Sequence, residues 1–128
     1  MDLLVHEGPW ARVRDALAAI ENGVSRVEDG AGRFPQVSGM TFAFDPKRAK
    51  GDRVVDIAVG GQPLDKAKMY TVATNDYVLG GGDGYATLAK GKAIIAAAGG
   101  TLMATMVMDY IAKRGTVSPR AEGRITIK

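Results

Sequence analysis

Cysteine is absent from this chain, and histidine occurs once, at His6. The first absence excludes disulfide frameworks, thiolate metal sites and cysteine nucleophiles, and leaves the redox compartment open. The second is as restrictive. A two-metal hydrolase centre needs several imidazole and carboxylate ligands around a shared water, and one imidazole cannot supply them. A serine triad would have His6 as its sole base, and no nucleophile elbow is present. A lone histidine near a terminus reads as a surface or strand residue. Neither sign of charge prevails: 17 basic against 14 acidic residues give +3. The one local cluster, Lys47-Arg48-Ala49-Lys50, has no interleaved aromatic residues, so it reads as a solvated loop and argues against nucleic acid as a partner. No apolar run is long enough to span a membrane. The opening Met1-Asp2-Leu3-Leu4-Val5-His6-Glu7 is acidic, and its apolar run falls short of the roughly 7–15 residues of a secretory core, so it reads as a mature or truncated start.

What is present suits a packed core. The 128 residues are 46% hydrophobic and 24% charged, the size and balance of one globular domain over 1–128, with no room for a second, catalytic one. Leu3-Leu4-Val5 reads as a short strand punctuated by Gly8-Pro9. From Trp10, Val13, Ala16, Leu17, Ile20 and Val24 follow helical spacing, with an end signalled at Gly23 or at Asp29-Gly30-Ala31-Gly32. Val37 to Phe44 reads as a strand with Met40, Phe42 and Phe44 on one side. A second strand from Arg53 to Val59 carries Val55, Ile57 and Val59 on one face, and Gly60-Gly61 suits a tight hairpin turn. A third begins at Tyr70. Beyond Tyr85, Ala86 to Lys90 reads as one helical turn, and Ile94-Ile95 fits strand or helix. Thr101 is placed to cap a helix containing Leu102, Met106 and Ile111, with Lys113-Arg114 near its negative end and Gly115 after it. Met103, Met106 and Met108 read as core filling rather than as an adaptable binding face. Gly123 to Ile127 reads as a closing strand. The fold class is α+β, a mixed or antiparallel sheet of about four strands packed with helices.

The stretch that promises chemistry is Thr74-Asn75-Asp76-Tyr77-Val78-Leu79-Gly80-Gly81-Gly82-Asp83-Gly84-Tyr85, in which a strand runs into four glycines surrounding one carboxylate. Glycines serve where backbone takes positive φ or approaches another group closely. A Walker-type phosphate loop is excluded, because Asp83-Gly84-Tyr85 follows the glycines instead of lysine and serine or threonine, and a carboxylate repels phosphate. An aromatic face at Tyr77 can stack on a base, and Asp83 can accept hydrogen bonds from two neighbouring hydroxyls, so the pair could hold a nucleoside. The structural alternative makes Asp83 a helix cap and Tyr77 core. Pattern alone favours that alternative.

Motifs in order change the balance. Glu21-Asn22-Gly23-Val24-Ser25, Gly32 to Gly39 (Gly-Arg-Phe-Pro-Gln-Val-Ser-Gly), Tyr70 to Tyr77, Gly81-Gly82-Asp83-Gly84-Tyr85 and Glu122-Gly123-Arg124-Ile125 together closely resemble the C-terminal domain of the 5′-nucleotidase family. The resemblance spans nearly the whole chain. It implies a nucleoside- or nucleotide-binding domain of a phosphoester hydrolase of nucleotide catabolism, not catalytic alone. Its partner would be a metallophosphoesterase domain or companion chain that carries the divalent metals and catalytic residues, so no cofactor is expected in this chain. An exported member of such a family would be periplasmic or extracellular. The resemblance places one ring of a base-stacking pair at Tyr77 and the ribose-binding carboxylate at Asp83, with Asn75, Gly81, Gly82 and Gly84 completing the substrate-binding set. The second ring is not Phe34, by position. A different class, a non-catalytic binding or interaction protein that retains the fold, is the alternative.

Overall fold

The computed structural model describes residues 2–95 and 97–128, with side chains described from Ala16 onward except at 97. The imidazole of His6 and the indole of Trp10 therefore lie outside the described residues. Among the described residues, seven strands, β1 (Asp2–Arg12), β2 (Gln36–Ser38), β3 (Met40–Phe44), β4 (Val54–Val59), β5 (Gln62–Pro63), β6 (Met69–Ala73) and β7 (Ile125–Ile127), form two sheets. One has the order β2-β1-β6, with β2 parallel and β6 antiparallel to β1. The other, β5-β4-β3-β7, is a mixed four-stranded sheet in which β7 runs parallel to β3 and the other pairs are antiparallel. Among the same residues, four α-helices accompany them: α1 (Val13–Val24), α2 (Asp76–Leu79), α3 (Ala86–Ala89) and α4 (Met103–Arg114). This is an α+β fold.

Several local expectations are met for the reasons given. Met40, Phe42 and Phe44 are buried on β3, and Ala16, Ile20 and Val24 are buried on α1. Gly60 and Gly61 take φ of 57° and 79°, the two positive values that a two-residue hairpin turn requires between β4 and β5. Others are corrected. The strand expected from Val37 to Phe44 breaks at Gly39, whose φ of 75° turns the chain from β2 in one sheet to β3 in the other. The third expected strand is present as β6, and it pairs with β1 in the other sheet. The helix expected from Trp10 begins at Val13, because Gly8, Pro9 and Trp10 fall where the β1–β6 register shifts between Glu7 and Ala11. An irregularity of that kind is where a sheet tolerates proline, which has no N–H to give the ladder. On β4, Ile57 and Val59 oppose Phe42 and Met40, but a register shift brings Val54 rather than Val55 opposite Phe44 and leaves Val55 exposed.

The core gathers Ala19, Ile20, Val24, Val37, Met40, Phe42, Phe44, Tyr70, Val72, Val78, Tyr85 and Leu88 between α1, both sheets and the loop after β6. Phe34 packs toward this cluster, 5.8 Å from the Phe44 ring centroid. Of the two ends expected for α1, the one at Gly23 is met, since the helix stops at Val24; a Cβ at Gly23 would come within 2.5 Å of Pro35 and 2.8 Å of the Tyr85 hydroxyl, so its lack of a side chain is also a packing requirement. Ile94 and Ile95 are neither strand nor helix, and both are exposed. Leu102 rather than Thr101 occupies the N-cap position of α4, and no side chain caps it. None of the residues of α4 is buried, so Met103, Met106 and Met108 face solvent instead of filling core.

Candidate functional site

The loop after β6 is built in three short steps. Asn75 caps α2, its Oδ1 accepting the Val78 amide at 2.8 Å, the role for which asparagine is preferred at that position. Val78, on the inner side of that turn, is buried and anchors it in the core. A tight 3-10 turn over Gly82–Gly84 follows, entered through Gly81 at φ 91° and left through Gly84 at φ 80°. Asp83 between them is left-handed too, at φ 53° and ψ 28°, and is the one non-glycine residue at positive φ among those described. Aspartate tolerates this region better than most side chains, but the conformation still costs about 1–3 kcal/mol unless its surroundings hold it.

The two chemistry-bearing side chains meet. The Tyr77 hydroxyl donates to Asp83 Oδ1 at 3.1 Å. The ring lies against Gly82, where a Cβ would sit 2.5 Å from its carbons, and Tyr77 as a whole is 60% exposed. Both halves of the structural alternative are thereby overturned: Tyr77 is not core, and Asp83 caps no helix, because Tyr85 stands at the N-cap of α3 and no side chain caps that helix.

Beneath the loop lies a polar circuit that sequence reasoning did not assign. Asn22, on the last turn of α1, donates from Nδ2 to the Asp83 carbonyl at 3.0 Å, and its Oδ1 accepts from Arg33 Nη1 at 3.1 Å. The Arg33 carbonyl in turn accepts the Tyr85 hydroxyl at 2.6 Å. Tyr85 is fully buried, and this desolvation, with the nearby Asp83 charge, pushes its phenol well above the ordinary tyrosine range and keeps it a donor. Asn22 and Arg33 stand inside two of the motifs quoted above, but nothing in their spacing marks them as neighbours of a loop some sixty residues on.

The 5′-nucleotidase C-terminal domain family matches this chain over residues 11–90. The chain belongs to that family. It is 36% identical over 116 residues to the trifunctional nucleotide phosphoesterase protein YfkN of Bacillus subtilis (strain 168), covering 84% of this chain and 8% of that protein. It is 38% identical over 116 residues to a 5′-nucleotidase of Diplobatis ommata, covering 84% of this chain and 20% of that one. The chain thus spans a minor part of the relatives' length. The crystal structure of a 5′-nucleotidase precursor from Thermus thermophilus superposes with a TM-score of 0.82 at 36% identity over 98% of this chain and 25% of that one. A sulfate thiohydrolase SoxB structure shares the fold, with a TM-score of 0.63 at 22% identity.

Within this 5′-nucleotidase C-terminal domain, Tyr77, Gly82, Asp83 and Gly84 converge at one exposed loop, with Gly81 at its entry and Asn75 engaged one helical turn earlier in capping α2. A separate open cleft of about 560 Å³, lined by Leu17, Glu21, Asp52, Val54 and Lys66, reaches Asn22 but neither Tyr77 nor Asp83. Its principal carboxylate is already engaged: Glu21 accepts the Arg53 and Val54 amides at 3.0 and 2.8 Å. Among the described residues, no group of three or more His, Cys, Asp or Glu side chains is placed to hold a metal ion. Among the same residues, no helix is long and apolar enough to cross a membrane.

Proposed function

We propose that this domain grips the nucleoside of a nucleotide substrate for a phosphoester hydrolase whose divalent metals and catalytic groups belong to a metallophosphoesterase domain or companion chain. The observation that carries the reading is the exposed Tyr77 ring tied to the Asp83 carboxylate by its hydroxyl, 3.1 Å from Oδ1. A ring of this kind offers a face to any base, and a carboxylate retains acceptor capacity for a ribose diol while it receives the Tyr77 hydroxyl. Gly81, Gly82 and Gly84 keep the backbone low enough for the sugar to approach, and Asn75 fixes the short helix on which Tyr77 rides. The chain acts by holding and orienting; no step of the hydrolysis is assigned to its own residues.

Magnitudes set the limits of this role. Stacking contributes about 1–3 kcal/mol and charge-assisted hydrogen bonds roughly 1.5–3 kcal/mol each. Association costs about 4–15 kcal/mol. Even at the favourable end of every range, one ring and two bonds to one carboxylate leave about 5 kcal/mol, a Kd of roughly 0.2 mM, and tight substrate use needs the rest of the enzyme.

The test uses the enzyme that carries this domain beside its metal centre. Tyr77→Ala should lower kcat/KM for nucleoside monophosphates by roughly 1–3 kcal/mol and leave a small generic phosphate ester almost unchanged. Asp83→Asn should penalise ribonucleotides more than 2′-deoxyribonucleotides, which offer a single hydroxyl to the carboxylate. Equal losses on all three substrates with a lowered Tm would return the loop to a structural role.

A further inference from the structure

We infer that Asn22, oriented by Arg33, is a positioning residue that sets the Asp83 carboxylate for the ribose, an inference that rests on the reading of Asp83 given above. Asp83 sits in a left-handed conformation between Gly82 and Gly84, so its own backbone preference does not hold it there. Something outside the loop has to hold it. The Asn22 amide is the group that reaches it from the body of the domain, donating to the Asp83 carbonyl at 3.0 Å. Its own scaffold is rigid: α1 is anchored by buried Ala19, Ile20 and Val24 on either side of Asn22.

The orientation of that amide is chemically determined. The Arg33 guanidinium has donors and no acceptor, so the Asn22 atom 3.1 Å from Nη1 must be the oxygen, which turns the NH₂ toward the Asp83 carbonyl. The Tyr85 hydroxyl closes the circuit by donating to the Arg33 carbonyl at 2.6 Å, tying the residue after Gly84 to the strand-entry loop that supplies the guanidinium. Gly84 completes the fit, because a Cβ there would lie 2.7 Å from Asn22 Oδ1 and 3.2 Å from Arg33 Nη1. A carbonyl pinned at Asp83 fixes the peptide plane, and with it the direction in which the carboxylate leaves the backbone. The Tyr77 hydroxyl restrains the same residue at its carboxylate, through Asp83 Oδ1, whereas Asn22 holds the Asp83 backbone carbonyl, so the two restraints act on separate atoms.

That separation provides the test. The purified chain, ¹⁵N-labelled, is titrated with adenosine 5′-monophosphate and with its 2′-deoxy analogue at millimolar concentrations, following the Tyr77, Asp83 and Gly84 signals. The wild-type chain should prefer the ribonucleotide. Asn22→Asp keeps the acceptor for Arg33 and removes the donor to Asp83. It should abolish the preference, whereas the repulsion from its added charge falls on both ligands alike and cancels in their ratio. Arg33→Lys leaves Asn22 intact but loosens its amide, and should reduce the preference by less, which keeps the test available if Asn22→Asp does not fold. A wild-type ribo-to-deoxy ratio retained in both variants overturns the inference. So does a proportional loss of both ligands with no change in the ratio, the result expected of a residue that only stabilises the fold. A wild-type chain that binds both ligands equally overturns the ribose role of Asp83 itself, and this inference with it, before any variant is compared.

Discussion

Four glycines in five positions look interchangeable in the sequence, yet their surroundings separate them. Gly80 closes α2 at φ −74°, where a Cβ would be in ordinary contact at 3.4 Å from the Asp76 carbonyl, so it has no conformational need to be glycine. Gly80→Ala should leave the fold intact and raise stability by about 0.4–1 kcal/mol through the unfolded chain; a lower Tm than wild type would show that the position needs glycine after all. Gly82 is different. A Cβ there meets the Tyr77 ring at 2.5 Å, but that ring is exposed and can swing away. Gly82→Ala should therefore keep Tm nearly unchanged while breaking the bond between the Tyr77 hydroxyl and Asp83, seen as a shift of the Tyr77 ring resonances toward those of a free tyrosine. Unchanged ring resonances in Gly82→Ala would show that Gly82 is not what seats the ring. Tyr77 and Asp83 stood out as candidates by residue type, although pattern alone favoured a structural role for both and the family resemblance reversed that balance. Asn22 and Arg33 did not, because the contact between Asn22 and Asp83 spans 61 positions and exists only once α1 packs beside the loop.

At the scale of elements, short-range signals were readable and partner choice was not. The alternation on β3, the Gly60-Gly61 turn and the helical turn at Ala86–Ala89 each follow from a few adjacent residues. Gly39, by contrast, divides an unbroken β pattern between two sheets, and β6 takes β1 as its partner across half of the chain. Helix α4 shows the limit of the 3.6-residue argument, since apolar spacing marks a helix without saying what covers it. Here Met103, Met106 and Met108 are 64%, 54% and 62% exposed, while Met40 is 4% exposed in the core. Mild peroxide should accordingly convert the three α4 methionines to sulfoxides well before Met40, with little loss of Tm at partial conversion. Peptide mass spectrometry reads the order directly. Oxidation of Met40 at the same rate as the α4 residues would mean that the α4 face is covered in solution or that the core opens readily.

Across the whole molecule, the tie between α1, the loop after it and the four-stranded sheet is made by a buried cation that composition could not reveal. Arg53 is 5% exposed at the entry to β4. Its guanidinium donates to the Val24 carbonyl at 2.8 Å and the Arg48 carbonyl at 3.2 Å, and it forms a two-pronged pair with Glu28 at 2.7 and 3.0 Å. The hydrogen bonds from Arg53 are the main reason that the Glu28 carboxyl falls from 4.5 to about 2. Because the folded pKa is depressed, the unfolded chain binds the proton more readily, so this contribution to stability is present above about pH 4.5 and is lost as pH falls toward 2. Glu28 is itself 44% exposed at its side chain, so solvent screens the pair and the contribution is correspondingly discounted. The comparison that isolates it is Glu28→Gln, which keeps the shape and leaves Arg53 its two carbonyl acceptors but takes away the carboxylate paired with it. At neutral pH the variant should melt below the wild-type chain. The gap should narrow as both are acidified through pH 4.5 toward 2, since the wild-type carboxyl becomes neutral over that interval. A Tm difference that stays constant across the same range would show that Glu28 contributes through packing and hydrogen-bond geometry alone, and that its charge is not what holds Arg53 between helix and sheet.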